Sequence, residues 1–359
     1  MKITNLKLVN YRNYDQININ FSNNINIIYG NNGTGKSNLI EAIYLLSLTK
    51  SFRTLDDKNL IKSNSNTALV KGIIDNKVYF IELSNSFKKV FIDNKKINKI
   101  SDYISKVNII LFNPLDTKIL TDSPNARRKM LNIEISQINK DYVNLLSTYN
   151  RILKHRNAYL KQLYLNGNAS IDYLNILTTK LIDLGINIYN IRKDYIEQIN
   201  NNLTNIYKEI FDYGELKIKY ISTFNKDKEE LLQIFQKNYK KEITYGKTIF
   251  GIHHDDIHFI LDGYNIKEYG SIGQQKNSII SFKLAELPLI KEKNGTYPIL
   301  ILDDLFSELD NKKINNIIKM LNKEVQTFIT STDIDRVNKD LLNDSYIFYT
   351  NNGKIERID

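Results

Sequence analysis

A chain of 359 residues, 42% hydrophobic and 25% charged, is long enough for two compact lobes and too apolar to be disordered throughout. The absence of cysteine excludes disulfides, thiolate metal sites and a cysteine nucleophile. No run of about 18 apolar residues offers a membrane span, so the chain reads as cytoplasmic. A formal net charge of +10 suits a polyanionic partner, and equally a solvated lysine surface in a chain crowded with Asn, Ile, Lys and Tyr.

Residues 1–125 read as short strands around one helix. The opening MKITNLKLVNYRNY alternates apolar and polar residues and lacks the apolar stretch of a signal peptide. Ile3–Val9, Gln16–Phe21 and Ile25–Tyr29 are strand-like, and Lys36–Leu48 is helix-length and apolar on most sides. Between the third strand and that helix lie Gly30, Asn31, Asn32, Gly33, Thr34, Gly35, Lys36 and Ser37, the pattern G-x-x-x-x-G-K-[ST] in its required strand-loop-helix context. Small residues let successive backbone N–H groups curl round a β-phosphate, and the helix N-terminus adds positive potential. Lys36 is placed to reach the β and γ oxygens, and Ser37 to ligate Mg²⁺. Ala68–Ile74, Val78–Leu83 and Val90–Ile92 follow as an antiparallel meander, then Val107–Phe112 as a buried strand ended by Asn113-Pro114.

Residues 126–245 change to long helices, opened by Ser123-Pro124 as cap and first turn. Tyr142, Leu145, Tyr149, Ile152, Tyr159 and Leu163 recur at helical spacing. After a break at Gly167, Leu174, Leu177, Leu181, Leu184, Ile188, Ile191 and Tyr195 continue the pattern, predicting an antiparallel helical pair inserted in the first lobe. Arg127, Arg128, Lys129, Arg151, Lys154 and Arg156, interleaved with Tyr149 and Tyr159, fit a phosphate-tracking surface. They fit equally well as partners of acidic neighbours, with the tyrosines on the apolar stripe.

Over residues 246–359 the α/β pattern returns: a helix Gln274–Leu287, a strand Ile299–Leu302, a helix near Lys312–Leu321 and a strand Val325–Ile329. The cluster His253, His254, Asp255, Asp256 and His258 has ligand chemistry for zinc or manganese, but no spaced ligand pair elsewhere completes a shell. The apolar run from Pro298 ends in Asp303 and Asp304, as a central parallel strand does when its C-terminal end faces a nucleotide. Asp303 would hold Mg²⁺ or its waters; Asp304 would orient or deprotonate the attacking water. Ser271, Gly273 and Gln274 open the helix before that strand, in the order of ABC-type ATPases, where such a motif contacts ATP held by a partner subunit. The Ser271 hydroxyl and Gly273 N–H would donate to the γ-phosphate.

The expected fold is therefore α/β, an ABC-type P-loop ATPase head with an inserted α-helical lobe. Five further stretches resemble the RecF family in order and spacing: Tyr269–Lys276, Leu284–Leu287, Tyr297–Asp304, Ser307–Asp310 and Gln326–Thr330. Asn10–Tyr14, Glu41–Tyr44, Lys50–Thr54, Ser123-Pro124, Arg127-Arg128 and Arg156-Asn157 agree with it. The resemblance implies a head that dimerises on sandwiching two ATP molecules, each touching both chains: Lys36, Ser37, Asp303 and Asp304 from one, Ser271 and Gly273 from the other, with Asp310 bordering the interface. It also implies slow, Mg²⁺-dependent ATP hydrolysis and binding to gapped or duplex DNA at the nucleoid. Action with RecO and RecR, and through them RecA, in recombinational repair is implied as well. The chain departs from the family pattern at Phe52 for His, Ile252 for Pro, His254 for Arg and Lys276 for Arg. No histidine follows the strand Val325–Ile329, leaving Thr330, Ser331 or Thr332 to sense the γ-phosphate. The alternative functions are the nucleotide-binding subunit of an ABC-type transporter, which needs a docking surface for membrane subunits, and a small-molecule P-loop kinase, in which Ser271–Lys276 and Ser307–Asp310 have no role.

Overall fold

The computed structural model describes residues 1–165, 170–304, 309–321, 323–334, 342 and 345–358. They form two compact units: Met1–Thr117 with Asn205–Gly214 and Ile272–Asp359, and Lys118–Thr204 with Glu215–Ser271.

The first unit contains two six-stranded sheets. One is antiparallel and consists of β1 (Ile3–Tyr11), β2 (Tyr14–Asn20), β4 (Thr67–Ile74), β5 (Lys77–Ser84), β6 (Lys88–Ile92) and β7 (Lys95–Lys96), in the order β2-β1-β4-β5-β6-β7. Its hairpins turn on Asp75-Asn76 and Asp93-Asn94, pairs with positive φ at both residues, the conformation a two-residue turn needs to match strand twist. The other sheet contains β3 (Ile25–Tyr29), β8 (Ile109–Phe112), β12 (Ile299–Leu302), β13 (Thr327–Ser331), β14 (Ser345–Asn351) and β15 (Lys354–Arg357), ordered β15-β14-β3-β13-β12-β8. Its first five named strands run parallel, and β15 returns antiparallel through Asn352-Gly353. Helix α1 (Lys36–Leu48) packs on β4 and β5 of one sheet and β8 and β13 of the other, which is why its sequence is apolar almost all round.

The second unit carries α2 (Pro124–Ile138), α3 (Lys140–Leu165), most of α4 (Ile171–Phe211) and α5 (Lys228–Tyr245). It also holds a three-stranded sheet of β9 (Leu216–Ile221), β10 (Asp256–Leu261) and β11 (Tyr264–Asn265). This sheet is the main departure from the expected helical lobe of residues 126–245. Leu216-Lys-Ile-Lys alternates buried and exposed, and β9 pairs with β10 from Leu216↔Leu261 to Ile221↔Asp256. That pairing carries the unit on to Ser271.

Three arginines organise the second unit's interior. Arg156, fully buried, donates to Glu242 at 2.6 Å, Thr248 at 2.7 Å and Thr178 at 3.0 Å. Arg192 donates to Asp255 and the Ile252 carbonyl, both at 2.8 Å, and to the Tyr142 hydroxyl at 3.0 Å. Arg127 grips Asp256 through two bonds of 2.7 and 2.9 Å. The phosphate-tracking surface expected of Arg127 and Arg156 is thus corrected: both are internal ion-pair partners, and Tyr149 is buried with them. The histidine-aspartate cluster is likewise spent inside the fold. His253 shares a 2.8 Å hydrogen bond with the Tyr149 hydroxyl, while Asp255 and Asp256 take Arg192 and Arg127.

Candidate functional site

The loop of residues 30–37 joins β3 to α1 at the C-terminal ends of the parallel strands, where open α/β sheets bind ligands. Its curl is set by backbone. Gly30 has φ +148°, and a Cβ there would collide with the Thr350 carbonyl; Gly35 has φ +124°, and a Cβ would come within 2.7 Å of the Tyr14 hydroxyl. Neighbouring strands then clamp the loop. The Thr34 hydroxyl meets the Thr350 hydroxyl at 2.8 Å and donates to the Asn31 carbonyl at 2.9 Å; Asn13 donates to the Thr34 carbonyl at 3.0 Å and Tyr14 to that of Gly35 at 3.0 Å. Asn31, Asn32 and Gly33 stay exposed at the tip, and Ser37 is half-buried at the start of α1.

Lys36 is buried and points back into the loop, donating to the carbonyls of Gly30 at 2.5 Å and Asn31 at 2.9 Å. Burial lowers its pKa, and the negative charges of Asp304 and Asp303 oppose the drop, so both carboxylates lie within electrostatic reach of the ammonium.

Both carboxylates stand at the end of β12. Asp303 is buried and accepts from the Thr330 hydroxyl at 2.7 Å on one oxygen and from Asn113 at 3.0 Å on the other. Burial raises its pKa, with Thr330 pulling the other way. Asp304 follows in a left-handed conformation, φ +51°, and its N–H donates to the Thr330 hydroxyl at 2.8 Å. Thr330 therefore fixes both acids. Ser331 is also engaged, donating to the Asp333 carbonyl at 2.7 Å. The sequence offered no local signal for Asn113, which lies 190 residues from Asp303.

A second buried charge flanks the loop. Glu41 on α1 is fully buried, takes two 2.8 Å bonds from Arg12 and accepts from Ser51, while Arg53 donates to Asn38 at 2.7 Å. This network joins the stretches Asn10–Tyr14, Glu41–Tyr44 and Lys50–Thr54. Phe52 stacks edge-on against Tyr44, ring centroids 5.5 Å apart.

Ser271, Ile272 and Gly273 are exposed at the start of α6 (Ile272–Asn294), with Gln274 half-buried; Ser271 belongs to the second unit, and Gly273 and Gln274 to the first. Asp310 caps α7 (Asn311–Met320), accepting from the Lys313 N–H at 3.0 Å. Ser307 and Glu308 lie outside the described residues.

A parallel sheet with this loop at one strand end and paired acids two strands away defines a P-loop ATPase head of the ABC type. The RecF/RecN/SMC N terminal domain family matches residues 2–356. A DNA replication and repair protein RecF from Clostridium perfringens is 38% identical over 99% of this chain and 100% of its own length. One from Enterococcus faecalis is 35% identical over 99% of both. Among solved structures, the recombination mediator protein RecF with ATP, in the RecFOR pathway, superposes with a TM-score of 0.91 at 30% identity, covering 100% of this chain and 98% of that one. A Smc head domain from Pyrococcus furiosus shares the fold, with a TM-score of 0.57 at 16% identity over 99% and 96% of the two chains. The chain belongs to the RecF family.

Proposed function

We propose that this protein is an ATP-gated, DNA-binding clamp of recombinational repair that hydrolyses ATP slowly. The observation carrying the reading is Lys36 held in the loop of residues 30–37 within reach of Asp303 and Asp304. Gly30, Asn31, Asn32, Gly33, Thr34, Gly35, Lys36 and Ser37 would cradle the β- and γ-phosphates of ATP, matching a RecF relative solved with ATP. The Ser37 hydroxyl and the Asp303 carboxylate are hard oxygen donors suited to Mg²⁺, which when bound would neutralise developing phosphate charge. Holding Asp303 on Thr330 and Asn113 fixes its oxygens before any cation arrives. Asp304 would orient or deprotonate the attacking water.

Ser271, Gly273 and Gln274 stand exposed or half-exposed at a helix start, as a group meant for the ATP of a second copy would. ATP would therefore close a homodimer, with the residues between the two parts of the head forming its inserted lobe. The names of the relatives, replication and repair, and the RecFOR pathway support DNA as the substrate, RecO and RecR as partners, RecA as the protein served, and work in the cytoplasm at the nucleoid. Among the described residues no helix is long and apolar enough to cross a membrane, and the whole-length relatives are repair proteins, so the transporter-subunit and metabolite-kinase alternatives gain no support.

Sedimentation with ATP, with ADP and with each of two variants tests the reading. Wild type should dimerise with ATP alone. Lys36→Ala should lose nucleotide binding and stay monomeric, whereas Asp304→Asn should bind ATP and accumulate as dimer. A monomer in every nucleotide state, or loss of ATP binding in Asp304→Asn, would contradict the assignment.

A further inference from the structure

The three hydroxyl residues at the end of β13 have unlike surroundings. Thr332 is exposed, Ser331 donates to the Asp333 carbonyl, and Thr330 is buried among the strand ends. The register explains where Thr330 stands. Phe112 of β8 and Ile329 of β13 both lie abreast of Leu302 of β12, so the next residue along each strand, Asn113, Asp303 and Thr330, falls in one row across the sheet. On its other side Thr330 is paired with Ile28 of β3, just before the loop of residues 30–37 begins.

Hydrogen bonds run along this row and commit the Thr330 side chain completely. A hydroxyl has one proton to give. That of Thr330 goes to Asp303 at 2.7 Å, and the same oxygen accepts the Asp304 N–H at 2.8 Å. One atom thus joins the carboxylate of the first acid to the backbone of the second. The backbone it holds is uncommon: Asp304 has φ +51°, a conformation that a residue with a Cβ keeps only where its surroundings impose it. On the other side of Asp303, Asn113 donates from Nδ2 at 3.0 Å, and its amide cannot turn over, because Oδ1 accepts the Leu115 N–H at 2.9 Å. The Asn113 N–H is in turn held by Asp116 at 3.0 Å. The two anchors therefore differ: Asn113 bonds to Asp303, whereas Thr330 bonds to both acids.

We propose that Thr330 is a positioning residue for ATP hydrolysis, coupling the acid that would hold Mg²⁺ to the acid that would aim the attacking water. With no histidine after the strand Val325–Ile329, the occupied site is read through Asp303 and Thr330 rather than by a side chain touching the γ-phosphate. Hydrogen-bond partners of a ligating carboxylate fix its orientation, and losing one typically costs about tenfold to a hundredfold in metal affinity or activity. The proposal rests on the roles given above to Asp303 and Asp304.

The test compares variants of the full chain by the affinity of a fluorescent ATP with and without Mg²⁺, and by turnover over a Mg²⁺ series. Thr330→Val keeps the side chain's shape and removes the hydroxyl. It should leave affinity for metal-free ATP unchanged, reduce the Mg²⁺-dependent gain in affinity by about tenfold and lower kcat by about tenfold or more. Saturating Mg²⁺ should not restore that kcat, because the Asp304 backbone stays unheld. Thr330→Ser, which can make both bonds, should recover most of each loss. Asn113→Ala should lose Mg²⁺-dependent affinity to a like extent, yet its kcat should climb toward the wild-type value as Mg²⁺ saturates; it tests the metal half even where the valine variant does not fold. Wild-type kcat in Thr330→Val, a serine variant no better than the valine one, or an Asn113→Ala kcat that stays low at saturating Mg²⁺ would overturn the proposal. A wild-type chain whose nucleotide affinity and turnover both ignore Mg²⁺ would sink the roles of the two acids, and this proposal with them.

Discussion

Two buried cations, one in each unit, are held in opposite ways. Lys36 sits on the carbonyls of Gly30 and Asn31, six and five residues away in the same loop, whose shape comes from glycine dihedrals. Arg156 is held by side chains from other elements: Thr178, Glu242 and Thr248, which are 22, 86 and 92 residues distant. The loop's carbonyls are neutral, so under the proposed function the ammonium would exchange them for a phosphate at little cost. The guanidinium is committed to a charged partner in a dry interior, where leaving either charge alone is expensive. A loop shaped by backbone leaves its cation on exchangeable partners, and a scaffold of paired charges holds its cation in place.

The sharpest way to break this contrast is to remove one member of the buried pair. Arg156→Met should cost about 3–5 kcal/mol in urea unfolding, because Glu242 is stranded, while Arg156→Met/Glu242→Leu should recover most of it. Similar stabilities for the single and double variants would mean that the charge pairing is not what matters. The next effect concerns pH. Burial, with His254 second, pushes His253 down to about 4 from an ordinary value near 6.5. The unfolded chain then binds the extra proton between those values. Stability contributed at neutral pH should fall as pH drops through 6.5 toward 4, by up to about 3 kcal/mol, and be unaffected above that window. His253→Gln, which can still accept from Tyr149, should flatten the fall; an unaltered acid profile would place the sensitivity elsewhere. The smallest effect falls on the loop. Gly30→Ala should destabilise the first unit by about 1–3 kcal/mol through strained φ and crowding at Thr350. It should abolish ATP binding in calorimetry even where the protein remains folded, and retained binding would show that side chains rather than backbone shape the cradle.

The same contrast explains what could be read from the sequence. The loop of residues 30–37 was legible because its geometry needs particular small residues at fixed spacing, and β12 with Asp303 and Asp304 because an apolar strand ending in acids, ambiguous alone, gains meaning when paired with that loop. The expected strands and α1 recur with ends displaced by a few residues, and the helix expected over Gln274–Leu287 runs from Ile272 to Asn294 through Pro288. Asn113 and Thr330 as anchors of Asp303, and Arg156 and Arg192 as interior struts, were not legible, because their partners are distant in the chain and no periodicity links them. Two misses did have a local signal. Leu216–Ile221 alternates, as a strand should, and Asn352-Gly353 between apolar-polar runs marks the β14–β15 hairpin. The basic run Arg127–Arg156 stayed ambiguous because positive charge in sequence does not tell a surface cation, such as Arg151 or Lys154, from a buried one, such as Arg127 or Arg156.

Thr350 touches the loop from 316 residues away, its hydroxyl against that of Thr34 and donating at 3.1 Å to the carbonyl of Tyr29. A ribosome has therefore emitted the glycine turn long before the strand that braces it exists. The loop therefore gains its brace only once the polypeptide has been made through β14, so its final shape is set by a contact that forms after the turn itself has emerged.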